Sequence, residues 1–448
     1  MAGGVLSKSH STVQSTIFLS FESHRLIVKG QLQAAQSRIH FTVDMWTSPN
    51  HKAFQAITAQ FVSKSGQLRK ALLALPEHLG RHTAEVQCDA FMASLELYNI
   101  THKVGCVTAD NHPVNDSLCG LIAAKLASKD LTWNPVHHRM RCLGHVINLP
   151  VQAFLFAKDK EAVEYSQQLA LAEPSKAIES TLYEQFKAAE SAGWRKIGAM
   201  GKLHNLVIFI RGSEQRFNRF KTLTSGAVIH SDNETRWNSW FTELDNACKL
   251  RLELTQFQAE FADCRADALS LEDWDVLRDT HAFLKPFYRA TLELEGDLVT
   301  LDHVQKTMDF LVWHFKRSMT KHAGNTALIS SITTAWFLFD KYYKLTDNTP
   351  YYVAAVLLHP SRRKQYLNTQ WEKKWINLGV NRAKQLWKPQ YRDCKSREVT
   401  PLPLPFIDEE PDDYDLLYRQ IDAVTSTSDQ FEQFINSSPI EVTGSPLD

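Results

Sequence analysis

The stretch Arg38–Asn50, RIHFTVDMWTSPN, decides how this chain is read. Its apolar and small residues have the composition of one strand of a sheet, yet Asp44 falls in its middle. A carboxylate in a strand built for burial has two explanations. Either it serves a turn or a buried hydrogen bond, or the strand exists to hold it over a metal. Choosing between them requires a second acid, a suitable spacing and something for the metal to act on.

The flanking sequence supplies the context. IHFTVDMW is followed by the alternating AFQAITAQFVS (53–63), a KSGQ turn with Gly66, and LRKALLALP (68–76), which together predict an antiparallel meander. TAEVQCDAFMASLELYNI then places Cys88, Phe91, Leu95 and Tyr98 three and four apart on one helical face, with Thr83 as N-cap. KVGCVTADN (103–111) returns to a short, almost wholly apolar strand of the kind found at the centre of a sheet. PVNDSLCGLIAAKLAS (113–128) is a helix opened by Pro113, and HHRMRCLGHVINLPVQAFLFAK passes from a short strand into another helix. This order predicts an α/β core: a mixed sheet with helices packed on its faces.

Beyond about residue 158 the strand signals fade, and helical spacing runs through segments such as NSWFTELDNACKLRLELTQFQAEF and TLDHVQKTMDFLVWHFKRSMTKH. The chain is therefore divided into a weakly patterned N-terminal segment (1–37), flexible or a short helix, the first part of the core (38–158), an all-α insertion domain (159–345), a helical return segment (346–395) and an acidic tail (396–448). The return segment opens with an apolar helix that stops at Pro360, and the tail begins in the proline-punctuated VTPLPLPFIDEEPDDYD, expected to be mobile. Trp274, Trp313 and Trp336 sit at helical spacing and are expected in the core, and Asp232, Asn238 and Trp240 are read as local structure.

Composition narrows the class of protein. At 448 residues the chain has room for two or three domains, and 44% hydrophobic with 22% charged residues is ordinary for a globular protein. No run of about 18 apolar residues predicts a membrane span, and the N-terminus has neither the apolar core nor the cleavage site of a secretory signal. Seven cysteines without a Cys-x-x-Cys pair argue against a disulfide framework and a zinc finger, and point to a reducing compartment. Net charge is zero but uneven: Phe406–Asp448 holds eleven acids against Arg419 alone, leaving a balance of +10 over residues 1–405. A basic body suits a polyanionic partner, and a solvated mixed surface explains the same count.

The second acid is Asp110, at the end of the fourth strand. If its strand neighbours that of Asp44, both carboxylates can meet at one end of the sheet, and such a pair favours Mg²⁺ or Mn²⁺. Spacing alone leaves a structural role and a metal role both open.

The letters around these acids go further. FTVDMWTS, VTADNHPVND, RCLGHVINL and SDNETRWNSW occur in this order, and together they closely resemble the catalytic core of hAT-type (hobo–Activator) transposases over most of the chain from about Leu26. That resemblance implies a ribonuclease-H-like sheet interrupted by a large helical insertion. By position, Asp44 and Asp110 match the family's first and second metal-binding acids, with Mg²⁺ or Mn²⁺ as the implied cofactor. Cys142 and His145, in CLGH, match a Cys-x-x-His pair beside the active site, with His145 implied as a DNA contact near the scissile phosphate. Arg236 and Trp237 match residues that stabilise a DNA hairpin or a flipped base, which a guanidinium and an indole suit chemically. For this pair a surface Arg beside a core Trp is the structural alternative.

The family's further features shape the expected function. Its members begin with a BED-type zinc finger, and no Cys/His set of that spacing precedes Asp44. They end with a double tryptophan and a segment carrying the third acid, a Glu, on a helix also used for dimerisation, and this sequence stops just before it. Glu293 and Glu295 lie in the helical insertion and do not match that position. The expectation is thus a nuclear, transposase-derived DNA-binding protein with a catalytically incomplete site, able to form a homo-oligomer only weakly. A domesticated DNA- or protein-binding factor without catalysis is the alternative.

Overall fold

In the computed structural model the described residues are 9–78, 83–156, 194–231, 237–296, 299–388, 430–442 and 446. They fall into two compact units: residues 1–299 with 310–349 form one, and 300–309 with 350–446 the other.

The first unit holds the sheet. β1 (Ile39–Thr47), β2 (Ala53–Val62), β3 (Leu68–Ala74), the short β4 (Glu77–His78), β5 (Val104–Ala109) and β6 (Arg139–Arg141) are arranged β3-β2-β1-β5-β6, with β4 on β2. β1, β2 and β3 pair antiparallel in sequence, whereas β5 joins β1 in parallel and β6 joins β5 in parallel. This is the mixed ribonuclease-H-like sheet that the motif order implied. Both hairpin connections follow turn chemistry. Gly66 takes the left-handed φ of 80° that its turn requires, and the Ser48–Lys52 turn is closed by the Ser48 N–H on the Lys52 carbonyl at 2.8 Å.

Alternation in β1 and β2 builds the core. Ile39, Phe41 and Val43 are buried from one strand, and Ala53, Ile57, Ala59 and Phe61 from the next. Helix α1 (His10–Gln33), α2 (Ala84–Tyr98) and α3 (Pro113–Ala127) supply the second layer. Phe91 of α2 meets Phe41 edge-on at 5.1 Å between ring centroids, and Leu118, Ile122 and Leu126 of α3 are fully buried. Thr83 stands at the α2 N-cap and Pro113 in the first turn of α3. At Gly105 the backbones of β1 and β5 come so close that a Cβ would lie 2.9 Å from the Ile39 carbonyl oxygen, so only glycine fits there.

Within the segment 1–37, expected to be flexible or a short helix, His10–Gln33 form the 24-residue helix α1. Only its last turns are anchored. Leu32 is fully buried, Lys29 Nζ donates to the Leu97 carbonyl at 2.8 Å, and Lys103 Nζ donates to the Gln33 and Ala35 carbonyls.

Helix α4 (Leu143–Phe156) leads out of the core, and from Trp194 to Leu345 every described regular element is helical. α5 (Ala199–Arg211), α6 (Glu214–Leu223), α7 (Trp237–Lys249), α8 (Arg251–Glu260), α9 (Leu271–Leu294), α10 (Leu301–Lys321) and α11 (Thr326–Leu345) follow. A capping box between Ser270 and Asp273 fixes the start of α9. Phe154 of α4 stacks on Phe283 at 4.4 Å, and Phe283, Phe287, Phe315 and Phe339 continue the aromatic core. Trp274 is buried and Trp336 half-buried, but Trp313 is exposed, contrary to its expected core position. The segment KAIESTLYEQFKAAES, expected to be helical, lies outside the described residues.

The second unit contains α12 (Tyr351–Leu358), α13 (Arg363–Gln370), α14 (Lys373–Trp387) and α15 (Gln430–Asn436) around Val356, Leu357, Leu367 and Ile376. α12 ends ahead of Pro360, as its sequence predicts. The acidic tail is corrected in one respect: α15 belongs to the core, burying Phe431 and Ile435, and Lys384 pairs with Glu432 at 2.6 Å. The linker VTPLPLPFIDEEPDDYD lies outside the described residues. Among the described residues no helix is long and apolar enough to cross a membrane.

Candidate metal and nucleic-acid site

Asp44 and Asp110 reach the same end of the sheet because β1 and β5 are parallel. Phe41 pairs with Val107 and Thr42 with Thr108. Continuing that register by two residues sets Asp44 beside Asp110, on the face opposite Phe41 and Val43. Asp44 is exposed on its strand, Asp110 is half-buried just beyond the end of β5, and both line one cleft of about 220 Å³. Trp46, Gln87, His112 and Asn115 line it with them.

The Asp110 carboxylate is held by its own loop. Oδ1 accepts the backbone N–H of His112 at 2.9 Å and the Asn115 side-chain amide at 2.6 Å. His112 is also the N-cap of α3, its Nδ1 accepting the Val114 N–H at 3.3 Å. The sequence ADNHPVND thus folds a strand end, a cap and a first helical turn around one carboxylate.

A buried arginine fixes the backbone beneath. Arg139, 6% exposed on β6, donates to the carbonyl oxygens of Ala109 (3.1 Å), Asp110 and Met140, while its Nε donates to Asp116 at 3.1 Å. Arg141 reaches Asn111 Oδ1 at 3.2 Å and Asp116 at 3.5 Å. Sequence reasoning missed Arg139 and Asn115. The available signals were the doubled arginine of RMRC and the asparagine five residues after Asp110, both of which read equally well as side chains pointing into water.

Cys142 N–H donates to the Ala109 carbonyl at 2.9 Å, which places this residue between the end of β5 and the start of α4. Burial pushes its thiol above the ordinary range. The backbone N–H groups of His145 and Gly144 pull the thiol down, and the charges of Asp110 and Asp44 raise it again. The thiol therefore senses both carboxylates. His145 is half-buried in the first turn of α4, and neither it nor Cys142 lines the cleft.

Trp237 is corrected. Its indole is 4% exposed at the start of α7, packed edge-on against Phe241 at 6.3 Å and Tyr288 at 6.2 Å, so it holds the helix rather than offering a face to a base. Trp240 is likewise core. Arg236 lies outside the described residues. Glu293 and Glu295 are exposed around the C-terminal end of α9 and do not line the cleft. Among the described residues no group of three or more His, Cys, Asp or Glu is arranged to hold a metal ion.

Comparison with known proteins matches this architecture piece by piece. Residues 42–135 match the ZBED1 RNase-like domain and residues 140–283 the ZBED1 RNase-like helical domain. The chain is 26% identical over 353 residues to the "Putative transcriptional regulator tpeD" of Talaromyces stipitatus, covering 76% of this chain and 38% of that protein. It is 24% identical over 299 residues to the "Putative AC transposase" of Zea mays, covering 64% and 32%. It is 22% identical over 384 residues to the human "Zinc finger BED domain-containing protein 4", covering 83% and 28%. The chain thus spans less than two fifths of the length of these relatives.

Proposed function

Because the chain belongs to the hAT-type transposase-like proteins, we propose that it is a transposase-derived DNA-binding protein of the nucleus whose Asp44 and Asp110 hold Mg²⁺ or Mn²⁺ against DNA. One observation carries this reading: the shared parallel register that brings the two acids to one cleft. The donor set fits the ion. Both groups are hard oxygen ligands, and the two hydrogen bonds on Asp110 Oδ1 leave its second oxygen for a cation. A bound ion of this kind stabilises charge on a phosphate and activates a water or hydroxyl.

The protein's own residues supply the positioning. Asn115 and the His112 N–H orient the Asp110 carboxylate, and Arg139 fixes the strand end that carries it. His145 and Arg236 are the proposed phosphate contacts. Two carboxylates hold an ion more loosely than three, and we infer that Asp44 and Asp110 by themselves bind the metal weakly. Self-association belongs to the same reading and is measured by sedimentation velocity.

Duplex affinity measured by fluorescence anisotropy, with and without Mn²⁺, tests the proposal. Wild type should bind more tightly with Mn²⁺, because the ion offsets two negative charges facing phosphate. Asp44→Asn should bind better in the absence of metal and lose the response. An unchanged wild-type affinity, or a variant that responds like wild type, removes the metal site.

A second reading is a factor that binds DNA or protein without catalysis. It is favoured by the long match to a relative named as a transcriptional regulator. In that case Asp44→Asn and wild type would bind DNA alike, with or without Mn²⁺.

A further inference from the structure

The second half of α10 carries side chains that neither the core nor the cleft uses. Phe310 is 45% and Trp313 51% exposed, although large aromatics one turn apart are ordinarily buried. The helix itself is firmly seated. Leu311 and Phe315 are fully buried on its other side, and His314, 8% exposed, hydrogen-bonds the Phe283 carbonyl through Nε2 at 2.9 Å. The aromatic face is therefore presented outward by the same register that fills the core.

The exposed side chains are ordered among themselves. The Phe310 and Trp313 rings stack at 6.0 Å between centroids and 25° between planes, and the Arg317 guanidinium lies 5.2 Å from the Trp313 ring centroid. Lys316 and Lys321 are also exposed on this half of the helix. No Asp or Glu occurs in the sequence between Asp309 and Asp340, and among the described residues no carboxylate pairs with Lys316, Arg317 or Lys321. At the helix end Asp279 faces His322 at 4.0 Å and Arg278 at 3.8 Å.

We propose that this face of α10 binds a nucleic-acid strand, with a base stacked on the Phe310–Trp313 ladder and phosphates on Lys316, Arg317 and Lys321. The inference rests on the DNA-binding reading above and names a surface for it. Charge complementarity selects the occupant: three cations with no carboxylate partner among the described residues, beside two stacked rings, match a polymer that alternates anions with flat bases. An apolar protein surface would have to desolvate those cations without compensation. Lys316 and Arg317 sit about one helical turn, roughly 5 Å, from Trp313, close enough for one nucleotide to meet both, and Lys321 lies about 12 Å along the helix, within reach of the next phosphate.

The test uses the full chain and a labelled single-stranded 20-mer, read by fluorescence anisotropy over a salt series, with circular dichroism as the folding control. Both Phe310 and Trp313 are exposed, so Phe310→Ala/Trp313→Ala should leave the fold intact and weaken binding about tenfold, with an unchanged salt slope. Lys316→Ala/Arg317→Ala/Lys321→Ala should flatten the slope by about 2. Wild-type affinity in both variants would overturn the inference while leaving DNA binding standing. A wild type with no affinity for the strand would overturn the DNA-binding reading as well. Equal binding of a polyglutamate peptide, insensitive to the aromatic variant, would reassign the face to an acidic protein partner.

Discussion

The parallel pairing of Thr42 with Thr108, carried two residues further, brings Asp44 of β1 level with Asp110 just past the end of β5, and both residues line one cleft. One residue of slip in either strand would send one carboxylate to the opposite face. The register itself is held by buried side chains: Ile39, Phe41 and Val43 on β1, and Val104 and Val107 on β5.

Asn115 should matter to metal affinity more than to stability. Its amide donates to Asp110 Oδ1 at 2.6 Å, and removing it frees the carboxylate to rotate. Asn115→Ala should lower Mn²⁺ affinity several-fold and cost about 1 kcal/mol of folding free energy. Titration calorimetry and urea unfolding measure the two effects separately. Equal metal affinity would remove Asn115 from the site.

Arg139 should matter to stability first. Replacing it by Met leaves the carbonyls of Ala109, Asp110 and Met140 without their charged donor and leaves Asp116 with Arg141 alone. A loss of about 3 kcal/mol in urea unfolding is expected, well above the effect of Arg141→Met. A loss below about 1 kcal/mol would mean that water replaces the guanidinium.

His138 sets an acid limit. Burial depresses its pKa to about 4, and its ring stacks on Trp133 at 5.2 Å. The folded state therefore favours neutral imidazole, and the associated stability is present above the unfolded value of about 6.5. It is lost as pH falls from there towards 4. Melting temperatures recorded from pH 7.5 to 4.5 should decline, and His138→Gln should flatten part of that decline. An identical profile in the variant would place the acid sensitivity elsewhere.

The strands were legible because their patterns are unambiguous. The alternation of β1 and β2 and the apolar run of β5 each admit one reading. α1 was legible only as one of two alternatives, since Ile17, Phe18, Leu19 and Phe21 are all exposed and only Leu32 is fully buried, so apolar letters carry no stripe. α10 misled for the opposite reason: polar His314 and Ser318 are buried while Phe310 and Trp313 face outward. At the site, the positions of the two acids followed from strand order. Arg139 did not, because a buried guanidinium that binds carbonyl oxygens is indistinguishable in sequence from a surface cation. Trp237 failed similarly, its motif context outweighing the ordinary role of an indole opening an amphipathic helix.

The account is tested most directly by a double-mutant cycle on Mn²⁺ affinity, using Asp44→Asn, Asp110→Asn and the pair, titrated calorimetrically. If one ion bridges both carboxylates, each single change should weaken binding about tenfold and the pair should lose far less than the sum of the two. Losses that add in full, or single variants that bind Mn²⁺ like wild type, would contradict a shared ion at this rim of the sheet.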